Sequence, residues 1–454
     1  MGIVFERIRE FSGSPFIYYR GRQFDYDELV AGVNHWLQVF QDIGIRPGAV
    51  VSVTGHFSPD WISLLLALLE HKNIIVPFDD EAQEDLVKRQ RLSHVEHHFS
   101  CSGYTAIVAS GASSGEGHPL IENLRGSGQA GIILFTSGST GESKAAVHSF
   151  DRMIEKHAAE SRRKPLNTMV FLRFDHIGGL NTMLWVLMNG GCMVAVEDRS
   201  PNSICRLIYE AKVELLPTTP SFLNMLILSR AWETHDLSSL KLMTYGTESM
   251  PESTLQSIHK QFPDVVLKQT YGLTELGIFS TRSRSKQSTF MAIREGDALT
   301  KVEEGILYIK AKTAMLGYLN AESPFDADGW YNTGDRVVVE DGYTRILGRE
   351  SEIINVGGEK VFPSEVESVL LEMDNVTDVT VMGKASPVVG QIVMAIFKLE
   401  RKEELAVLRG RVWAHCRGRL ESYKIPRDIV ISEGDMISKR FKRIRRIESE
   451  MTNA

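Results

Sequence analysis

Alternation constrains this chain more than any other feature. From residue 26 onward, runs with helical apolar spacing trade places with short apolar runs of strand length, and the exchange continues to about residue 350. YDELVAGVNHWLQVFQDIG (26–44) has helical spacing and ends on Gly44, a residue suited to a helix C-terminus. AVVSVTG then reads as a strand, DWISLLLALLEHK as a helix, and IIVPF and GIILF as strands. VFLRF, CMVAV, VELLPTT and LKLMTYG continue the strand series, and LWVLMNGGCMVAV reads as helix, turn, strand. Such a pattern predicts an α/β fold. Near residue 350 the character changes. DGYTRILGR suggests a hairpin, EIINVGGEKVFPSEVESVLLEM and TDVTVMGK read as strand, loop, helix, strand, and VMAIFKL with the helix ELAVLRGRVWAHCRGRL follows. We therefore expect a large N-terminal domain of α/β subdomains over 1–349 and a small α+β domain over 350–454.

Composition narrows the class. The chain has 454 residues, 43% hydrophobic and 24% charged, enough for a large core, and its net charge of -7 argues against a surface built for nucleic acid. The four cysteines, Cys101, Cys192, Cys205 and Cys416, are widely spaced, which suits neither a zinc site nor a disulfide framework and suggests a reducing compartment. MGIVFERIRE has no signal-peptide core and lacks the Ser or Thr at position 6 of a myristoylation motif. No apolar run reaches the ~18–20 residues that span a bilayer. A cytoplasmic enzyme is the expectation.

FTSGSTGESK (135–144) follows the apolar run GIIL. A loop of Gly, Ser and Thr after a buried strand presents backbone N–H groups and hydroxyls that can hold phosphate oxygens, and a terminal lysine adds a mobile cation. An exposed turn is the plainer reading of the strip taken alone. The Walker A spacing is not met, since Lys144 follows Gly141 by three and precedes Ala145. Further motifs come in order: QTYGLTELG (269–277), GWYNTGD (329–335) and ILGRESEIINVGGEKVFPSEVE (346–367). With FTSGSTGESK, these resemble the motifs of the adenylate-forming superfamily, which joins acyl-CoA synthetases, aryl-CoA ligases, nonribosomal-peptide adenylation domains and firefly luciferase. The likeness runs from about residue 15 to 448 and is strongest to the acyl- or aryl-CoA ligase branch.

The resemblance implies a reaction in which a carboxylate attacks the α-phosphorus of ATP, pyrophosphate leaves, and the acyl group passes from AMP to a thiol. It implies that Thr136, Ser137, Ser139, Thr140 and Lys144 cradle the β- and γ-phosphates, with Gly138 and Gly141 permitting the fit. It implies that Tyr271, beside Gly272, stacks on adenine, Thr274 bonds the α-phosphate and Glu275 holds Mg²⁺. A carboxylate beside phosphates suits that hard cation, and an aromatic face suits a purine. Gly246, Thr247 and Glu248 of MTYGTESMP match the strip lining adenine and acyl group; Tyr245 stands where the family has a glycine, so a narrower pocket is expected. Asp335 would accept from both ribose hydroxyls, and Arg349 would contact ribose or phosphates. His176 of RFDHIGGLNT is expected near the acyl-adenylate carbonyl, a structural histidine being the alternative. Asp175 raises a rival reading, the carboxylate that pairs with a substrate ammonium in amino-acid-activating members.

In the C-terminal domain, Gly357 and Gly358 would border the tunnel for the pantetheine arm, and Ser351 takes the swivel position between two orientations of a mobile domain. The family's closing P-x-x-x-x-G-K segment is altered to DMISKRFKRIRR (435–446). Lys442 takes the catalytic position, with Met436 and Phe441 for the proline and glycine; Lys439 or Arg443 would take it in a shifted register. The six basic residues there also admit a nucleic-acid or membrane patch. FLRF, LNTMLWVLM, PTTPSFLNMLI and GIFS are expected to line an apolar acyl pocket. The cofactors implied are ATP, Mg²⁺ and CoA, or the phosphopantetheine of an acyl or peptidyl carrier protein. A paralogue that binds nucleotide without turnover is the reading of a different class.

Overall fold

The computed structural model describes residues 2–79, 83–100, 103–106, 117–136, 143–160, 162–294 and 296–432. Two seven-stranded sheets form the body of the N-terminal part. In one, Gly131–Thr136, Ile74–Phe78, Val50–Thr54 and His97–Ser100 run parallel, with antiparallel strands at both edges. In the other, Val266–Gln269, Leu242–Tyr245, Leu215–Thr218, Asn167–Met169, Cys192–Val194 and Pro15–Tyr19 are parallel, and Arg22–Asp25 closes the edge antiparallel. This is the α/β arrangement expected from the alternation.

Local chemistry sets the helices. Tyr26–Ile43 begins on a capping box, in which Asp25 accepts from the Glu28 N–H at 2.8 Å and Glu28 accepts from the Asp25 N–H at 2.9 Å. Such a cap stabilises a helix by about 1 kcal/mol. The helix ends at Gly44, as expected. Pro59–Glu70 is capped by Ser58 and buries every side chain from Trp61 to Leu69, because it lies between layers. One hydrophobic cluster joins Val51 and Ile132 of the first sheet to Phe16 and Met193 of the second through that helix and Ile177–Asn189. The two sheets therefore share a core.

VFLRF departs from expectation. The strand stops at Met169, and residues 170–174 leave the sheet. The run is apolar because it bridges two cores: Val170 and Phe174 pack in one cluster and Phe171 in the other. The hairpin of Tyr331–Glu340 and Tyr343–Arg349 is present and belongs to a six-stranded antiparallel sheet. Beyond it, a five-stranded sheet draws all its strands from residues 354–431 and has its own buried cluster. Its parallel strand Asp428–Ile431 escaped the sequence reading. Asn224 Nδ2 donates to the Thr377 carbonyl at 3.1 Å, tying this C-terminal unit to the body.

Cys192, Cys205 and Cys416 are buried and unpaired, their thiols pushed up to about 12, 12 and 11 by burial, and Cys101 lies outside the described residues. Among the described residues no helix is long and apolar enough to cross a membrane.

Candidate active site

The C-terminal ends of the parallel strands open on a cavity of about 1660 Å³, roofed by the C-terminal unit. Gly131–Thr136 leads into the FTSGSTGESK segment at the cavity edge and Lys144–Ser149 carries the chain away, with Thr136 directly opposite Lys144 in the ladder. Both residues line the cavity, whereas Ser137, Gly138, Ser139, Thr140 and Gly141 lie outside the described residues. Asn320 clamps the exit of the strip, accepting from the Ala145 N–H and donating to the Ser143 carbonyl, each at 2.9 Å. Arg89 donates to Ser143 Oγ at 3.2 Å.

Opposite the strip stands a buried polar network. Tyr271 OH donates to Asp335 Oδ2 at 2.5 Å, and Arg349 Nε lies 2.8 Å from Asp335 Oδ1. Asp335 and Arg349 are cross-strand partners in the hairpin, which fixes their approach. Asp335 is 5% exposed, and burial raises its carboxyl above the usual range despite the guanidinium beside it. Burial and the Asp335 charge hold the Tyr271 hydroxyl far above an ordinary phenol. Tyr271 sits in a tight hairpin, since a Cβ on Gly272 would meet the Gly277 carbonyl at 2.5 Å and only glycine fits there.

Glu275 follows on the same segment. Its Oε1 accepts from Tyr318 OH at 2.6 Å, and the Lys144 ammonium sits 5.3 Å from the centre of the Tyr318 ring. Thr274 lines the cavity, and behind it lies His148, a buried imidazole pushed down to about 4 by desolvation. Gly246, Thr247 and Glu248 line the wall, with Glu248 accepting from Ser221 Oγ at 2.6 Å. A Cβ on Gly246 would meet Thr270 Oγ1 at 2.6 Å. Tyr245 corrects the expectation of a narrowed pocket: strand alternation turns Thr244 and Gly246 to the cavity and buries Tyr245 in the core behind.

His176 lines the cavity at the start of Ile177–Asn189. Asp175 is buried and is not among the lining residues, so the ammonium-pairing reading finds no support. The acyl-pocket expectation is met in part by Leu172, Asn181, Thr182, Pro217, Thr218 and Ile278. Of the C-terminal unit, Ser351 and the helix Pro363–Leu370 reach the cavity. Gly357 and Gly358 do not: they turn the chain between Ile354–Val356 and Glu359–Val361, away from the lining. Lys442, Lys439, Arg443, Met436 and Phe441 lie outside the described residues. Sequence reasoning missed Tyr318, Asn320 and Arg89. The first two share GYLN, whose only signal was an aromatic and an amide shortly before NTGD.

Comparison with known proteins follows this geometry. A family model described as AMP-binding enzyme matches residues 4–319, and one described as AMP-binding enzyme C-terminal domain matches 365–440. Indoleacetate–CoA ligase of Aromatoleum aromaticum is 27% identical over 326 residues, a stretch covering 66% of this chain and 62% of that protein. 2-Succinylbenzoate–CoA ligase of Listeria monocytogenes is 25% identical over 453 residues, 94% of each. Among solved structures, the anthranilate CoA ligase AuaEII with anthranoyl-AMP superposes with a TM-score of 0.79 at 18% identity, covering 97% of this chain and 95% of that one. The o-succinylbenzoate CoA synthetase of Bacillus subtilis, solved with its acyl-adenylate intermediate, gives 0.77 at 18% identity over 100% and 98%. At such identities the superpositions speak to the fold.

Proposed function

Because the chain belongs to the AMP-binding enzyme family, we propose that it is an ATP-dependent carboxylate ligase. A carboxylate oxygen attacks the α-phosphorus of ATP, the bond to the bridging oxygen breaks, and acyl-AMP and pyrophosphate form. The thiol of CoA then attacks the acyl carbon, its proton is lost, and AMP leaves. The observation that carries the reading is the convergence of Thr136, Lys144, Tyr271, Glu275, Asp335 and Arg349 on one cavity. Two anions must meet there, so prepositioned cations and donors supply much of the rate.

Each residue then has a task. Lys144 and the hydroxyl of Thr136 bind the outer phosphates, with the rest of the strip, Ser137 to Gly141. Asp335 holds the ribose hydroxyls, with Arg349 beside it favouring the charged form against the effect of burial, and Tyr271 takes the base side. Thr274 donates to the α-phosphate, and His176 flanks the acyl carbonyl. Lys442 approaches the α-phosphate when the C-terminal domain, residues 350–454, swings about Ser351, and Gly357 and Gly358 face the thiol arm in the other orientation. Mg²⁺ fits this donor set. No cluster of three metal-ligating residues occurs among the described residues, but this ion is commonly held by one carboxylate plus substrate phosphates, and Glu275 offers that carboxylate. Bound there it would neutralise phosphate charge.

CoA is favoured over a carrier protein as acceptor because the relatives named above are CoA ligases. Pyrophosphate exchange across fatty, aryl and amino acids tests the first half-reaction, and AMP release with CoA against a loaded carrier tests the second. Exchange with at least one acid is expected; silence throughout would leave a nucleotide-binding paralogue.

A further inference from the structure

His176 lines the cavity at the head of the helix Ile177–Asn189, and the chain leading to it, residues 170–174, is the run that leaves the sheet between two cores. An apolar strip between two apolar clusters is held by volume and shape, which do not by themselves fix a single register. Here a polar contact does. Leu172 and His176 face the cavity, whereas Arg173 is not among its lining residues and turns to Asp79.

Asp79 follows the buried strand Ile74–Phe78 of the first sheet and is 2% exposed. Its two oxygens meet basic groups from separate segments: Oδ2 pairs with Arg173 Nη1, and Oδ1 lies 3.1 Å from His56 Nδ1. A carboxylate this deep must be paired, and the pair in turn holds the arginine in one place. The Arg173 peptide passes that constraint on. Its carbonyl accepts from the His176 N–H at 3.2 Å, and a Cβ on Gly179, in the first turn of the helix, would run into the same carbonyl. Both flanks are held as well: Arg199 Nε donates to the Phe171 carbonyl at 2.9 Å, and Phe174 packs on Trp61 with ring centres 4.0 Å apart.

Resting on the ligase reading above, in which His176 flanks the acyl carbonyl, we propose that Asp79 and Arg173 are positioning residues for the acyl half of the reaction. Their buried ion pair sets the register of residues 170–176 and so the place of His176. Neither side chain lines the cavity, so neither touches a ligand there. A group misplaced by about 1 Å can cost about 10²-fold in rate. Loss of the pair therefore falls on turnover of the acid and spares the grip on ATP.

The test is pyrophosphate exchange with the best acid from a panel of fatty, aryl and amino acids. Asp79→Asn and Arg173→Met are each expected to lower kcat by about 10–10²-fold with KM for ATP unchanged, and Arg173→Lys, which keeps the charge, to retain part of the rate. Two double-mutant cycles separate positioning from a merely structural role. In the Arg173→Met background Asp79→Asn should cost nothing further, and in the His176→Ala background neither change should lower kcat again. Additive losses in either cycle, or a rise in KM for ATP matching the fall in kcat, would overturn the proposal, as would full activity of His176→Ala. Should a single variant fail to fold, the double variant Asp79→Asn, Arg173→Met leaves no charge unpaired between them, and wild-type turnover by it would overturn the proposal equally. If no acid supports exchange, the ligase reading fails on its own. Crystal structures of wild type and the double variant then decide the positioning: displacement of the His176 ring by about 1 Å is expected, and an unmoved ring would overturn it.

Discussion

The two ends of the main cavity are built on opposite plans. Around Asp335 and Glu275, ionised and aromatic groups are tied to one another before any ligand arrives: Tyr271 to Asp335, Asp335 to Arg349, Tyr318 to Glu275. Around Asn181 the lining is mostly uncharged, apolar Leu172, Ile177, Pro217 and Ile278 alternating with Thr182 and Thr218. The difference follows from charge. An ion in a dry site must be paired, and pairing demands a particular residue at a particular place. An apolar wall needs volume and shape, which many side chains supply.

Asp335→Asn is the hardest blow to this division. Losing two charge-assisted bonds of about 1.5–3 kcal/mol each should lower kcat/KM for ATP in exchange assays by about 10²–10³-fold or more, while KM for the acid holds. A defect confined to the acid would erase the distinction between the ends. Glu275→Gln comes next: a fall of about 10²-fold, partly recovered by raising Mg²⁺, is expected if the carboxylate serves the ion. Insensitivity to Mg²⁺ would assign Glu275 to Tyr318 alone.

Acid sharpens the comparison from the side of stability. His148, buried behind Thr274, and His157, in the small pocket shared with Asn181, are both pushed down to about 4 by burial when folded, against about 6.5 when unfolded. Between those values the unfolded chain binds more protons, so stability is full above 6.5 and is lost as pH falls toward 4, by up to about 3 kcal/mol for the fully buried His148. Urea unfolding at pH 7.5 and 4.5 should show the loss, and His148→Gln should flatten it. Asp335 acts in the other sense: its raised carboxyl contributes stability below the ordinary carboxylate range and loses it as pH rises through the raised value. The smallest effect is expected from Ile278→Ala, a change of about tenfold or less in KM for the acid with KM for ATP unmoved.

This contrast also explains what could be read from residues alone. FTSGSTGESK, YGLTE and NTGD were legible as family motifs, and Thr136, Lys144, Tyr271, Glu275 and Asp335 from them line one cavity. Tyr318 and Asn320 were not legible, since a tyrosine and an asparagine in GYLN could equally serve a turn; their role appears only when Gly317–Tyr318 pairs with Lys144–Ser149. The alternation gave the sheets, but VFLRF misled, because burial in two adjoining cores produces the same apolar run as a strand. Tyr245 misled for the converse reason: a position in a motif does not say which face of the strand it occupies. Asp79 and Arg173 lie in different segments, and nothing local announces their pairing.

Arg349, which pairs with the Asp335 carboxylate, is the last residue before the short turn Glu350–Glu352. A torque applied at that turn reaches Asp335 through a single residue. On the ligase reading proposed above, a sugar seated on Asp335 would brake the turn and a turn in motion would loosen the sugar, so product departure and the changeover between half-reactions would share one bearing.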